Sequence, residues 1–160
     1  MAITNRAGHG DSIGVLENSS AADIHGLNIG RITELFEGFG YLCKPDGKVR
    51  GISGNLHNFD FVCTKRDSGE KLVMKSLLFV NSTHDEMEVE FVKLRLMTYD
   101  CSPDICFVVV KSSSEQLREM ASLYRFTLID GSSEESPYNQ IESLLRLRDG
   151  DLTERNIVPR

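Results

Sequence analysis

His57-Asn-Phe-Asp-Phe-Val-Cys-Thr-Lys65, Arg66-Asp67-Ser68-Gly69 and Lys71-Leu-Val-Met-Lys-Ser-Leu-Leu-Phe-Val80 together decide how this chain folds. The first and last pieces are rich in aromatic, aliphatic and β-branched residues, which fit a pleated, half-buried surface. The short polar piece between them ends in glycine and reads as a hairpin turn. Two antiparallel strands are therefore expected at the centre of the chain. Upstream, Tyr41-Leu42-Cys43 reads as a short strand. Pro45-Asp46-Gly47 reads as a turn, because proline presets φ and glycine tolerates positive φ. Gly51, Ser53 and Gly54 keep the next stretch irregular.

Ile32, Leu35 and Phe36 recur at helical spacing, and Gly38 and Gly40 are stop signals, so a helix is predicted over about 28–38. Residues 1–26 are small and polar, with glycine at 8, 10, 14 and 26, and read as a flexible N-terminal arm. Downstream of the hairpin, 85–98 is helical in pattern. Met87, Phe91, Leu94 and Thr98 line one side, and Val89, Val92 and Leu96 line another. Two apolar stripes predict a helix covered on more than one side. Ile105–Val110 (ICFVVV) is a continuous apolar run, as expected of a strand buried on both faces. A helix follows over 113–125, with Leu117, Met120, Ala121 and Tyr124 inward. Then come a strand over 126–130 and a helix over 137–148, with Ile141, Leu144 and Leu145 inward. Residues 149–160 have the composition of a tail. The order α-β-β-β-α-β-α-β-α over 27–148 predicts an α/β domain, with helices packed on a mixed central sheet.

At 160 residues and 40% hydrophobic content, the chain matches one ordinary domain with a real core. It has no apolar run long enough for a membrane helix, and residues 1–26 lack the basic start and apolar centre of a signal peptide. Cys43, Cys63, Cys101 and Cys106 lie in or beside apolar stretches without CxxC spacing. They are expected to be reduced thiols packed as small hydrophobes. A cytoplasmic location follows from these two features. A net charge of −6 argues against bulk electrostatic binding of DNA, though it permits a local basic groove. Positive and negative charges interleave over 44–50 and 86–95, the pattern of a mixed solvated surface.

Several phrases recur in a family-like order: Phe39-Gly40-Tyr41, Gly51-Ile-Ser-Gly54 running into His57-Asn-Phe-Asp-Phe61, Lys71-Leu-Val-Met74, Tyr99-Asp-Cys-Ser-Pro-Asp104, and the stretch through Ala121, Tyr124 and Ile129. Over roughly 30–131 their order and spacing resemble the PD-(D/E)XK nuclease superfamily, in particular small restriction-endonuclease-like proteins of archaea. The resemblance implies an α-β-β-β-α-β core, here with a further β-α extension. It also implies a site for Mg²⁺ or Mn²⁺, in which a helix glutamate, a strand aspartate and an acid-x-lysine gather around the ion. Hard carboxylate oxygens suit such an ion, which stabilises phosphate charge and helps to generate hydroxide.

By that resemblance, Glu34 or Glu37 would supply the helix carboxylate and Asp60 the strand aspartate. The acid-x-lysine element is incomplete. If Lys75 is the lysine, the acid position holds Val73; if Lys75 stands at the acid position, the lysine position holds Leu77. In this superfamily the acid sometimes moves to the following helix, where Glu86 and Glu90 share a face with Lys93; a solvated charged stripe explains the same spacing. Asp60 is either an inherited metal ligand or the partner of Lys75 across the hairpin, since burying a carboxylate unpaired is costly.

His57 and His84 have no Cys or His partner at ligand spacing and read as surface or hydrogen-bonded histidines. Ser53 lacks the strand-then-helix setting of a nucleophile elbow, and Gly51 and Gly54 are not followed by the GK[ST] of a phosphate loop. Asp100 and Asp104 read as turn and capping residues.

The expectation is a catalytically inactive nuclease-like domain that acts by nucleic-acid or protein binding and needs no cofactor. Beside it stand two alternatives. One is an active Mg²⁺- or Mn²⁺-dependent DNA endonuclease with a relocated acid. The other is an oligomerising protein in which a sheet edge or an apolar helix face forms a homodimer.

Overall fold

In the computed structural model, which describes residues 23–24, 26–77 and 83–155, the predicted order of helices and strands is observed from α1 onward, preceded by two short strands that were not predicted, one of them inside the expected N-terminal arm. Two short strands, β1 (Asp23–Ile24) and β2 (Leu27–Asn28), precede α1 (Ile29–Gly38). The central hairpins are β3 (Tyr41–Arg50), β4 (Leu56–Lys65) and β5 (Lys71–Leu77). Then follow α2 (His84–Cys101), β6 (Ile105–Val110), α3 (Glu115–Tyr124), β7 (Thr127–Asp130) and α4 (Pro137–Arg155). Strands β3 to β7 form one five-stranded sheet in chain order. The β3–β4 and β4–β5 pairs are antiparallel, and the β5–β6 and β6–β7 pairs are parallel. The sheet changes character at β5 because tight turns link the strands before it, whereas helical crossovers link those after it.

The sheet is covered on both faces. Ile32 and Phe36 of α1 and Ile141 and Leu145 of α4 close one face over Phe61, Met74 and Phe107. Phe91 and Leu94 of α2 and Leu117 and Ala121 of α3 close the other over Val73, Val108 and Val110. All six residues of β6 are buried, as an apolar run in the middle of a covered parallel sheet must be. The chain is thus a mixed α/β domain compatible with a restriction-endonuclease-like core. Among the described residues, no helix is long and apolar enough to cross a membrane.

Several local expectations are corrected. Pro45-Asp46-Gly47 is not a turn but lies inside β3, with Asp46 at φ 48°. Beyond this residue the alternation changes face. Tyr41 and Cys43 join the α1/α4 side, whereas Val49, at the same parity, packs with the α2/α3 side. Gly47 is required there by close approach, since a Cβ on it would lie 2.4 Å from Cγ2 of Val62.

The expectation of four reduced thiols holds only for Cys101 and Cys106. Cys43 and Cys63 form a disulfide, because the β3–β4 register sets them directly opposite each other, with Cα atoms 4.1 Å apart. The second stripe of α2 is not covered: Val89, Val92 and Leu96 are exposed. Helix α4 runs on to Arg155, beyond the predicted end at 148. Of the predicted N-terminal arm, residues 1–22 and 25 lie outside the described residues, as do 78–80 of the expected strand and 156–160 of the tail.

Candidate functional site

Asp60 sits where the antiparallel half of the sheet comes apart. The β4–β5 ladder ends at the pair Phe61–Met74. One residue further along β4, the Asp60 carboxylate fills the gap. Its Oδ2 accepts the backbone N–H of Ser76 at 2.5 Å, and its Oδ1 accepts from Lys75 Nζ at 3.5 Å. The pair is partly shielded, with side chains 15% and 29% exposed for Asp60 and Lys75. Both carboxylate oxygens are thereby engaged by donors from β5. A backbone amide that would lose its ladder partner is satisfied, and the negative charge is met by a protein cation.

The other predicted ligands do not join this pair. Val73 is buried, 2% exposed, beneath α2 and α3. Glu34 and Glu37 are exposed on α1, on the opposite face of the sheet from Val73. Glu86 completes a capping box with Thr83 at the start of α2, which satisfies two orphan N–H groups. Glu90 bonds Lys93 at 2.5 Å on the exposed surface of the same helix. Among the described residues, no group of three or more His, Cys, Asp or Glu is placed to hold a metal ion. Among the described residues, the carboxylates therefore do not converge on a Mg²⁺ site, which needs several oxygen ligands in near-octahedral geometry.

A second polar centre, which the sequence reading treated as turn residues, forms around Asp100 at the end of α2. Asp100 Oδ1 accepts the Ser53 N–H at 2.8 Å; Oδ2 accepts the Ser53 hydroxyl at 2.6 Å and lies 2.7 Å from His57 Nε2. The backbone carbonyl of Asp100 also accepts from Ile52 N at 3.0 Å. Gly51 permits this approach, because a Cβ there would fall 1.8 Å from Asp100 Oδ2. Serine and histidine both bond the carboxylate, and the cluster ties the 51–54 loop to α2. The side-chain and backbone hydrogen bonds from Ser53, followed by that of His57, hold the Asp100 carboxyl down at about 2.

Asp130, at the end of β7, has a similar role. It accepts from the backbone and hydroxyl groups of Ser113 and Ser132. Burial opposes its ionisation, but the bonds from Ser113 and Ser132 outweigh burial and lower its pKa.

The likeness to solved structures follows this architecture. A crystal structure of a protein of unknown function, AF1548, superposes with a TM-score of 0.52 at 19% identity, covering 71% of this chain. This chain spans 62% of that one. An XisH family protein from Nostoc punctiforme PCC 73102 superposes with a TM-score of 0.43 at 11% identity, covering 69% of this chain and 91% of its own. The likeness to AF1548 shows a shared fold and no more. No protein-family model matches the sequence, and no curated protein matches it.

The depressed carboxylates predict acid sensitivity. A carboxyl whose folded pKa lies below its unfolded value adds stability above the unfolded value and loses it as pH falls through the folded one. For Asp100 that window runs from about 4 down to about 2. Denaturant midpoints followed downward from about pH 6 should fall steeply below about pH 4. Asp100→Asn should lose less over that range. A wild-type midpoint that stays level through it would contradict the assignment.

Proposed function

We propose that this chain is a restriction-endonuclease-like domain that binds without cleaving, with DNA as the ligand to test first. The arrangement of Asp60 carries the reading: Lys75 and the Ser76 N–H occupy the carboxylate, and buried Val73 stands where the neighbouring acid would be. A cation on the protein replaces the cation that a nuclease would take from solution. The lysine that would assist an attacking water is held in an ion pair instead. The choice of DNA rests on the family resemblance alone, because a fold does not specify a ligand. A cytoplasmic setting goes with this reading. The Cys43–Cys63 disulfide pulls against it, since a reducing cytosol keeps most thiols free.

The test is cleavage of supercoiled, linear and branched DNA with Mg²⁺ or Mn²⁺, alongside a binding titration on the same substrates at several salt concentrations. Wild type, Asp60→Ala and Lys75→Ala are all expected to leave the DNA uncut, under conditions in which an active relative cuts. Binding should weaken as salt rises, because phosphate contacts release counterions. Cleavage by wild type that both substitutions abolish would overturn the proposal. It would establish a Mg²⁺- or Mn²⁺-dependent endonuclease and direct the search for its missing acid to Glu86 and Glu90.

A further inference from the structure

Helix α2 presents two apolar sides, but the domain covers only one. Phe91, Leu94 and Thr98 are buried against the sheet and α3. On the outer side, Val89 is 52% exposed, Val92 44%, Leu96 65% and Tyr99 73%. Single exposed hydrophobes are ordinary on a protein surface. These four form one line, at alternating spacings of three and four residues, which is the seam of a two-stranded coiled coil. Such a line needs a partner with a matching seam.

The charges beside the seam identify the partner. Glu88 and Arg95 follow one flank of the line, and Lys93 and Asp100 follow the other. When two copies of α2 lie parallel and in register, the first flank of each meets the second flank of the other. Each charge then approaches the residue five positions further along. Glu88 meets Lys93 and Arg95 meets Asp100, each twice by two-fold symmetry. An antiparallel pair centred on the same four residues would instead bring Lys93 to Lys93 and Arg95 to Arg95.

We propose that α2 pairs with α2 of a second copy of this chain, parallel and in register, through Val89, Val92, Leu96 and Tyr99. Lys93, which bonds Glu90 at 2.5 Å within its own helix, exchanges or shares that contact with Glu88 of the other copy. Asp100 is 17% exposed and bonded by Ser53 and His57, so its contact with Arg95 is the weaker of the two and the Glu88–Lys93 pair sets the register. Four side chains per copy make an interface below the ~1,200 Å² of standard complexes. The dimer is accordingly weak, with a dissociation constant on the order of micromolar. The proposal is independent of whether the Asp60 site cleaves.

Sedimentation velocity on the full chain, from about 1 to several hundred µM, tests it. Wild type should pass from monomer to dimer. Leu96→Glu should remain monomeric while keeping the circular dichroism spectrum and, at concentrations where wild type is a monomer, the denaturation midpoint of wild type, since Leu96 is 65% exposed. Glu88→Lys should weaken association by about tenfold. The double exchange Glu88→Lys with Lys93→Glu should restore it. Wild type that stays monomeric throughout, or Leu96→Glu that dimerises as wild type does, overturns the proposed surface. Failure of the double exchange to restore association overturns the parallel register.

Discussion

Phe36→Ala is expected to cost about 3–5 kcal/mol, the upper range for large-to-small changes in a core. Phe36 has no exposed surface, and its ring centroid lies 6.2 Å from those of Tyr41 and Phe61 and 6.3 Å from that of Phe107. Those three rings belong to β3, β4 and β6, so one side chain of α1 touches both the antiparallel and the parallel halves of the sheet. Truncation removes the apolar area that holds the helix down and leaves a cavity walled by three strands, which cannot move inward without breaking their ladders. Natural domains are stable by about 5–15 kcal/mol in total, so this loss takes a large share of the margin. The denaturant midpoint should fall with little change in slope. Phe36→Leu should fall by much less, because part of the volume is kept. Phe36→Ala within about 1 kcal/mol of wild type would mean that α1 does not clamp the two halves.

The elements legible in the sequence are those whose period or composition is dictated by burial. Ile105–Val110 is one: six consecutive apolar residues in a covered strand leave little else to conclude. The α1 helix is another, because Ile32 and Phe36 repeat at one face and Gly38 and Gly40 mark its end. Pro45-Asp46-Gly47 was illegible for a physical reason. Its residues are typical of turns, yet the strand continues through them, because Val62 leaves room only for a glycine and Asp46 accepts the positive φ. The Cys43–Cys63 pair has a sequence separation of 20 and no motif, and only the strand register brings it together. Helix α2 shows both the reach of pattern reading and its limit. Its two stripes are real, but periodicity cannot say whether this chain or another molecule covers the second.

The candidate site divides in the same way. Asp60 and Lys75 could be paired from sequence because a hairpin brings its strands together whatever surrounds it. The Ser76 N–H could not be foreseen, since it depends on where the β4–β5 ladder stops. Glu86 and Glu90 were visible as acids, but their uses as a cap and a surface pair were not separable from a ligand role until the start of α2 was placed. Asp100 was read as a turn residue, because its partners Ser53 and His57 lie more than forty residues away in the chain.

Glu70 went unnoticed for the same reason, and Glu70→Ala is expected to cost about 2–4 kcal/mol. It lies just past the β4–β5 turn, where no pattern in the sequence marks it. In the structure, however, its side chain is only 14% exposed. Oε1 accepts the Tyr41 hydroxyl at 2.5 Å, and Oε2 accepts Arg148 Nη2 at 2.7 Å and Nε at 3.1 Å. Beside them, buried Lys65 pairs with Asp149 and lies over the Tyr41 ring. Burial opposes the charge on Glu70, but the hydrogen bonds from Arg148 and Tyr41 outweigh it and keep the carboxyl below its usual range. Burial, followed by the bond to Glu70, raises the Tyr41 phenol well above its ordinary value, so it remains a donor.

The alanine variant leaves that hydroxyl unpaired in a core position and removes the negative charge from between Lys65 and Arg148. Arg148 is 44% exposed, and solvent screens its share. Most of the cost therefore comes from Tyr41 and Lys65. Glu70→Gln keeps an acceptor for Tyr41 but not the charge, and should lose about half as much. Tyr41→Phe combined with Glu70→Ala should cost less than the two single changes added together, because the double variant strands no hydroxyl. Strict additivity in that cycle, measured by denaturant unfolding, would show that the Tyr41–Glu70 bond contributes nothing to stability.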